Sequence, residues 1–156
     1  MLYRLFKPED FAQIYAIEEL CFQPPFRFSR GYLRQIVQSA ASATWIAEQD
    51  DVIAGFAVAE WAQSADVPEA YIQTIEVAPE HRRQGIGNEL LRRVESSAQA
   101  AGAGSIWLHV DSENTHAIRL YETHGYHHEG REEHYYARRR AALIYRKPLR
   151  DLTATA

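Results

Sequence analysis

Apolar residues in the first part of the chain recur at helical spacing. Phe11, Ile14, Ile17 and Cys21 lie three or four apart, which places them on one face of a 3.6-residue helix. Pro8-Glu9-Asp10 suits a first turn, since proline has no N–H to leave unpaired there and acids oppose the positive end of the helix dipole. The pattern predicts a short strand over Leu2 to Phe6 and a helix from Pro8 to about Phe22, with Cys21 as a core contact rather than a nucleophile. The period breaks at Gln23-Pro24-Pro25-Phe26-Arg27-Phe28, and Ser29 can cap a second helix whose apolar side holds Leu33, Ile36, Val37 and Ala40. Phe26 and Phe28 remain on a proline-stiffened loop, either plugging the core beneath it or walling a substrate site.

The period then changes. Ala43 to Gln49 and Val52 to Glu60 are rich in β-formers and predict a hairpin joined at Asp50-Asp51, followed by a polar link from Gln63 to Pro68. Tyr71 to Val77 alternates and leads through Ala78-Pro79-Glu80-His81 into a helix that ends near Gly102, with Ile86, Leu90, Leu91, Val94 and Ala98 as its buried stripe. A further strand, Ser105 to Val110, follows directly, so strand, helix and strand form a right-handed crossover with parallel strands. Asn114 caps a short helix over Thr115 to Thr123, ending before Gly125. The last expected elements are a hairpin, from Tyr126 to Tyr136 and from about Ala141 to Arg146, turning at 137–140, and a frayed tail over Thr153 to Ala156. One domain over 1–149, of mixed α/β class, is the expected organisation.

Composition narrows the partners. A 156-residue chain with 46% hydrophobic residues can bury one continuous core. Seventeen basic against 21 acidic residues give a net charge of −4, without the broad positive field of a nucleic-acid binder. The lone Cys21 closes no intramolecular disulfide, which points to a reducing cytoplasm. There is neither a signal-peptide core at the N-terminus nor an apolar run long enough for a bilayer, so a soluble, unprocessed protein with no membrane partner is expected. His116, His124, His127, His128 and His134 lack ligand spacing, and no metal is expected.

The turn between the central strand and its helix carries the candidate chemistry. Gly85 and Gly87 open a helix whose free N–H groups and positive end suit a phosphate or pyrophosphate, and glycine lets that ligand come close. A P-loop is excluded because Asn88 and Glu89 follow Gly87, and a dinucleotide fingerprint because Leu90 stands where a third glycine belongs. What remains, Arg82-x-x-Gly85-x-Gly87 after Thr74-Ile75-Glu76-Val77, resembles the pyrophosphate motif of the GNAT acetyltransferase superfamily. Leu108-His109-Val110-Asp111-Ser112-Glu113-Asn114, Ala117-Ile118-Arg119-Leu120-Tyr121-Glu122 and Gly125-Tyr126 resemble the second half of its signature, in the same order. The likeness runs from Phe6 to Leu149 and is greatest to protein N-terminal acetyltransferases, including the ribosomal-protein alanine enzymes.

The resemblance implies a GNAT fold: a mixed, mostly antiparallel sheet with splayed central parallel strands, flanked by helices. It implies acetyl-CoA as cosubstrate, paired to the backbones of Ile75 and Val77, cradled by Arg82, Arg83, Gln84, Gly85, Ile86, Gly87 and Asn88, and touched by Asn114. Alternation separates Ile106, Leu108 and Val110 from Trp107 and His109, and puts Tyr71 and Gln73 on one face, so Tyr71 and His109 can converge on one water. Similar eukaryotic N-terminal acetyltransferases deprotonate the amine through water with such a pair, whereas the ribosomal-protein enzymes have glutamate where His109 stands. By the same likeness Tyr121 is the general acid beside the sulfur. Tyr135 and Tyr136 grip a peptide beside Phe26, and the Val77 N–H stabilises the oxyanion where the strands part. Glu76 is expected to face away from Tyr71 and to be solvent-facing or structural.

An α-amino group titrates at about 7.7–8.0 against about 10.4 for lysine, so a weak His/Tyr base suffices for it. A peptide or protein N-terminus is therefore the expected acceptor, with a small-molecule amine and a non-catalytic acyl-CoA-binding module as alternatives. The run Arg138-Arg139-Arg140 is either a solvated turn or a contact for acidic peptides, with Glu129, Glu132 and Glu133 opposing the latter.

Overall fold

The elements run β1 (Leu2–Leu5), α1 (Phe11–Cys21), α2 (Arg30–Gln38), β2 (Ser42–Gln49), β3 (Val52–Trp61), β4 (Glu69–Val77), α3 (Ile86–Ala100), β5 (Ser105–Asp111), α4 (Thr115–Thr123), β6 (His127–Ala137) and β7 (Arg140–Pro148). This computed structural model describes residues 1–62, 66–137 and 140–149. Part of the expected polar link (63–65), Arg138, Arg139 and the tail from Thr153 to Ala156 lie outside the described residues. One seven-stranded sheet has the order β1-β2-β3-β4-β5-β7-β6, antiparallel throughout except where β4 meets β5.

Each face of the sheet has its own core. α3 lays Leu90, Leu91, Val94 and Ala98 against Ala57, Ala59, Ile72, Ile106 and Leu108, and the small strand residues let the helix come close. On the other face Phe11, Ile14 and Ile17 of α1 and Leu33 and Ile36 of α2 pack over Ile46, Phe56 and Val58. The Pro8–Asp10 turn is 3-10 rather than α-helical before it continues into α1. Ala40 does not join the buried side of α2: the helix stops at Gln38 and Ala40 is exposed. Asp50 and Asp51 both take positive φ (52° and 65°), the geometry of a two-residue hairpin turn that follows the twist of the strands. A Cβ on Gly55 would stand 2.6 Å from the Glu76 carbonyl, so β3 approaches β4 closely only because this residue is glycine.

Two irregularities in the ladders of β4 shape the site. β3 and β4 pair as Val58↔Thr74 and then Ala59↔Ile72, leaving Gln73 as an extra residue in β4. β4 and β5 pair only at Glu69↔Ser105, Ala70↔Ile106 and Tyr71↔Trp107 and then part. Beyond this point β4 stays with β3 and β5 with β7, so a gap opens in the middle of the sheet.

Candidate active site

The backbone of β4 past the bulge is turned toward that gap. Ala78 N–H donates to Ala54 C=O at 2.8 Å, and since antiparallel partners alternate, Glu76 and Thr74 also bond toward β3. The amides and carbonyls of Ile75 and Val77 consequently face the opening. Val77 C=O accepts from Arg82 Nε at 3.1 Å and from Cys21 Sγ at 3.6 Å. Val77 was expected at the strand distortion itself. The distortion lies at Gln73 instead, and of the two gap-facing residues Ile75 is nearer to it.

At the far end of the gap α3 begins. Gly85 is its N-cap residue with φ 77°, and no side chain caps the helix. Arg83 is also left-handed, with φ 66°. The amides of 83–88 have no protein hydrogen-bond partner among the described residues, so Arg83, Gln84, Gly85, Ile86, Gly87 and Asn88 present consecutive N–H groups at a positive helix end. Gly87 has only side-chain atoms 3.9 Å from where a Cβ would stand. Asn88 Oδ1 is engaged with His124 Nε2 at 2.7 Å, which ties α3 to α4. Such a nest fits a diphosphate, and the polar backbone between it and Gln73 fits an amide-bearing arm.

A cleft of about 1020 Å³ occupies the opposite end of the gap. The C-terminal end of α1, the following loop, α2, β4, β5, α4 and β6 contribute its walls. Tyr71 Oη and His109 Nδ1 are hydrogen-bonded directly at 2.8 Å, not through a water, because the adjacent strands are still paired at Tyr71↔Trp107. His109 Nε2 meets Glu132 Oε1 at 3.1 Å. Burial, with the neighbouring tyrosines, holds the Tyr71 phenol above its usual range. Gln73, at the bulge, accepts from Tyr32 Oη at 2.8 Å and donates to Glu60.

The two aromatics of the loop after α1 have separate roles. Phe28 packs toward the α1/α2 core and lies 5.0 Å from the Tyr32 ring, whereas Phe26 lies in the cleft 4.9 Å from Tyr136. In a regular strand Tyr135 and Tyr136 would point to opposite faces. β6 escapes this: its register jumps from Glu132↔Ala142 to Ala137↔Arg140, and the extra residues carry both rings over the cleft. Tyr135 stacks on His109 at 4.3 Å. Arg140 stays partly exposed, but its guanidinium is engaged: it forms two 2.9 Å bonds to Asp111 and lies over Phe26 at 5.0 Å.

α4 closes the side of the cleft nearest the gap. Asn114 Oδ1 accepts from Ala117 N–H at 3.1 Å as the expected cap, and the same residue lines the cleft. Tyr121 is buried between this helix and the sheet, which raises its phenol pKa, and its hydroxyl has no hydrogen-bond partner among the described residues. Glu76 departs from its expected position. The bulge at Gln73 advances the alternation by one residue, so Glu76 shares the α1 face with Tyr71 and is buried, not solvent-facing. Tyr32 and Glu132 are site residues that the sequence did not mark: Tyr32 sits beside an ordinary apolar stripe, and Glu132 reads as one of several hairpin acids. Among the described residues no cluster of three metal-ligating side chains exists, and no helix is long and apolar enough to cross a membrane.

Residues 11–126 match the acetyltransferase (GNAT) family. The streptothricin acetyltransferase of Streptomyces lavendulae is 40% identical over 90 residues, which are 57% of this chain and 47% of that protein. The ribosomal protein bS18-alanine N-acetyltransferase of Escherichia coli K12 is 32% identical over 88 residues, 56% of this chain and 57% of the other. The chain thus spans about half the length of these two relatives. The crystal structure of the Escherichia coli ribosomal-protein-S18-alanine N-acetyltransferase superposes with a TM-score of 0.84 at 25% identity, covering 96% of this chain and 94% of that one.

Proposed function

The chain belongs to the GNAT acetyltransferase family, and from that premise we propose that it is an acetyl-CoA-dependent enzyme whose acceptor is the α-amino group of a peptide or protein. The observation that carries this acceptor is the Tyr71–His109 pair lying beneath three aromatic rings, Phe26, Tyr135 and Tyr136, in an open cleft. A groove with flat aromatic walls suits an extended backbone, and a weak His/Tyr base is matched to an amine of modest basicity.

Acetyl-CoA, when bound, supplies an activated acyl group. The amides of 83–88 would hold its diphosphate, the backbones of Ile75 and Val77 would pair with the arm, and Asn114 would flank it. Tyr71 accepts a proton from the incoming ammonium as its own passes to His109 Nδ1, and Glu132 steadies the imidazolium through Nε2. The Ile75 N–H, nearer to the bulge than that of Val77, would stabilise negative charge developing on the acyl oxygen. Tyr121, which burial keeps protonated and whose hydroxyl is free of protein partners among the described residues, would supply the proton that the departing thiolate takes up.

A second reading, a small-molecule amine as acceptor, is favoured by the 40% identity to streptothricin acetyltransferase. Release of free CoA thiol, measured across peptides with free and blocked N-termini, streptothricin and simple polyamines, separates the two. Turnover with free-N-terminal peptides alone is expected; turnover confined to the small amines would replace the peptide reading with the second.

A further inference from the structure

Two carboxyl groups beneath the cleft take no part in the steps above. Glu18, near the end of α1, is 1% exposed and Glu76, on β4, is 3% exposed. They lie within hydrogen-bonding reach of each other, Glu76 also accepts from Thr74 Oγ1 at 2.7 Å, and Glu18 accepts the Phe28 N–H at 3.1 Å. One oxygen of each, Glu18 Oε1 and Glu76 Oε1, is buried with no partner among the described residues. Neither acid has an ion-pair partner there. Of the charged or titratable groups nearby, the Cys21 thiol lies one turn along α1, and Arg82 reaches that sulfur at 3.5 Å from the far side.

Two ionised carboxylates buried this way would repel without a cation between them. A single proton held between the two carboxyl groups removes that repulsion and lets one donate to the other. We propose that Glu18 and Glu76 share one proton and act as a positioning pair, clamping the aromatic loop after α1 to β4 and so holding Phe26 at the acceptor end of the cleft. The proton belongs to Glu76: burial first, and then the neighbouring Glu18 carboxyl, push the Glu76 carboxyl well up, while the Phe28 N–H already occupies one oxygen of Glu18. The clamp spans the two parts that must be registered. β4 carries the backbone that faces the acyl donor, and the loop carries the ring that faces the acceptor.

The effect on the acceptor rests on the proposed acetyl transfer, whereas the shared proton does not, and the two are read separately. Infrared spectra of the ligand-free protein at neutral pH should contain the C=O stretch of a neutral carboxylic acid, shifted in D2O and missing from Glu76→Gln. In steady-state kinetics Glu76→Gln, whose amide N–H replaces the acid proton, should keep kcat and both KM values within about twofold, while Glu76→Leu should raise acceptor KM about tenfold with KM for acetyl-CoA unchanged. Absence of the acid band from the wild type, or an equal rise in KM for Gln and Leu, would overturn the proposal. If no acceptor turns over at all, the infrared result still decides whether the proton is shared.

Discussion

At the end of the gap where α3 begins, the groups left unpaired are main-chain amides from consecutive residues, 83–88. At the other end they are side chains gathered from α1, α2, β4, β5, β6 and the loops between, such as Tyr32, Tyr71, His109, Glu132 and Tyr136. The first end needs only a local turn that glycine permits, and the second needs the whole fold. Substitutions should accordingly separate by kinetic constant: those near the amide nest should act on KM for acetyl-CoA, and those in the aromatic cleft on turnover, its pH dependence and acceptor KM.

The largest effect is expected where the two ends meet. Tyr121→Phe removes the buried hydroxyl at the side of the cleft nearest the gap, and should lower kcat by about 10²-fold or more with little change in either KM. Wild-type turnover in that variant would remove Tyr121 from the mechanism. At the acceptor end, His109→Ala should lower kcat/KM by about 10²-fold at pH 6 and less at pH 9, because free amine is scarce only at low pH. An unchanged pH profile would show that the Tyr71–His109 bond is structural.

The cofactor end predicts a different signature. Gly85→Ala introduces a side chain at φ 77° and should raise KM for acetyl-CoA about tenfold, leaving acceptor KM and the pH profile as they were. Coupled changes in both KM values would mean that the two ends are not separable. The smallest effect is expected from Asn114→Ala, which loses the α4 cap at a cost of about 1 kcal/mol and should lower Tm by about 2–4 °C in a chain of this size.

Buried carboxyls supply a pH test of the same contrast. Glu76 has a raised folded-state pKa, so the folded protein binds the extra proton and stability falls as pH climbs above the unfolded value of about 4.3. Glu76→Gln should therefore melt higher than wild type at pH 7 and at nearly the same temperature at pH 4. Asp10 has the opposite sign: Arg4, then the Lys7 amide, hold its carboxyl low, and that stabilisation is lost as acid protonates it.

Amphipathic spacing in α1 and α3, the Asp50-Asp51 turn and the glycine-opened helix were legible because each is a local pattern with one physical solution. Element ends moved by a residue or two, as with Ala40 beyond α2, since the last turn of a helix has little to hold it. Alternation placed Trp107 and His109 correctly on β5, which is regular, and misplaced Glu76 on β4, which is not. Nothing in the residue types at 72–74 announces that Gln73 is unpaired. The same failure conceals how Tyr135 and Tyr136 reach one cleft together.

By itself the sequence determined the elements, their class and the run of free amides that opens α3, because these follow from the spacing of apolar residues and from two glycines within a few positions of one another. Only the tertiary structure decided which side chains share the acceptor end. One unpaired residue in β4 and a few in β6 turn the strands that carry them, and where a ladder slips is decided by the packing of both sheet faces rather than by the residues at the slip.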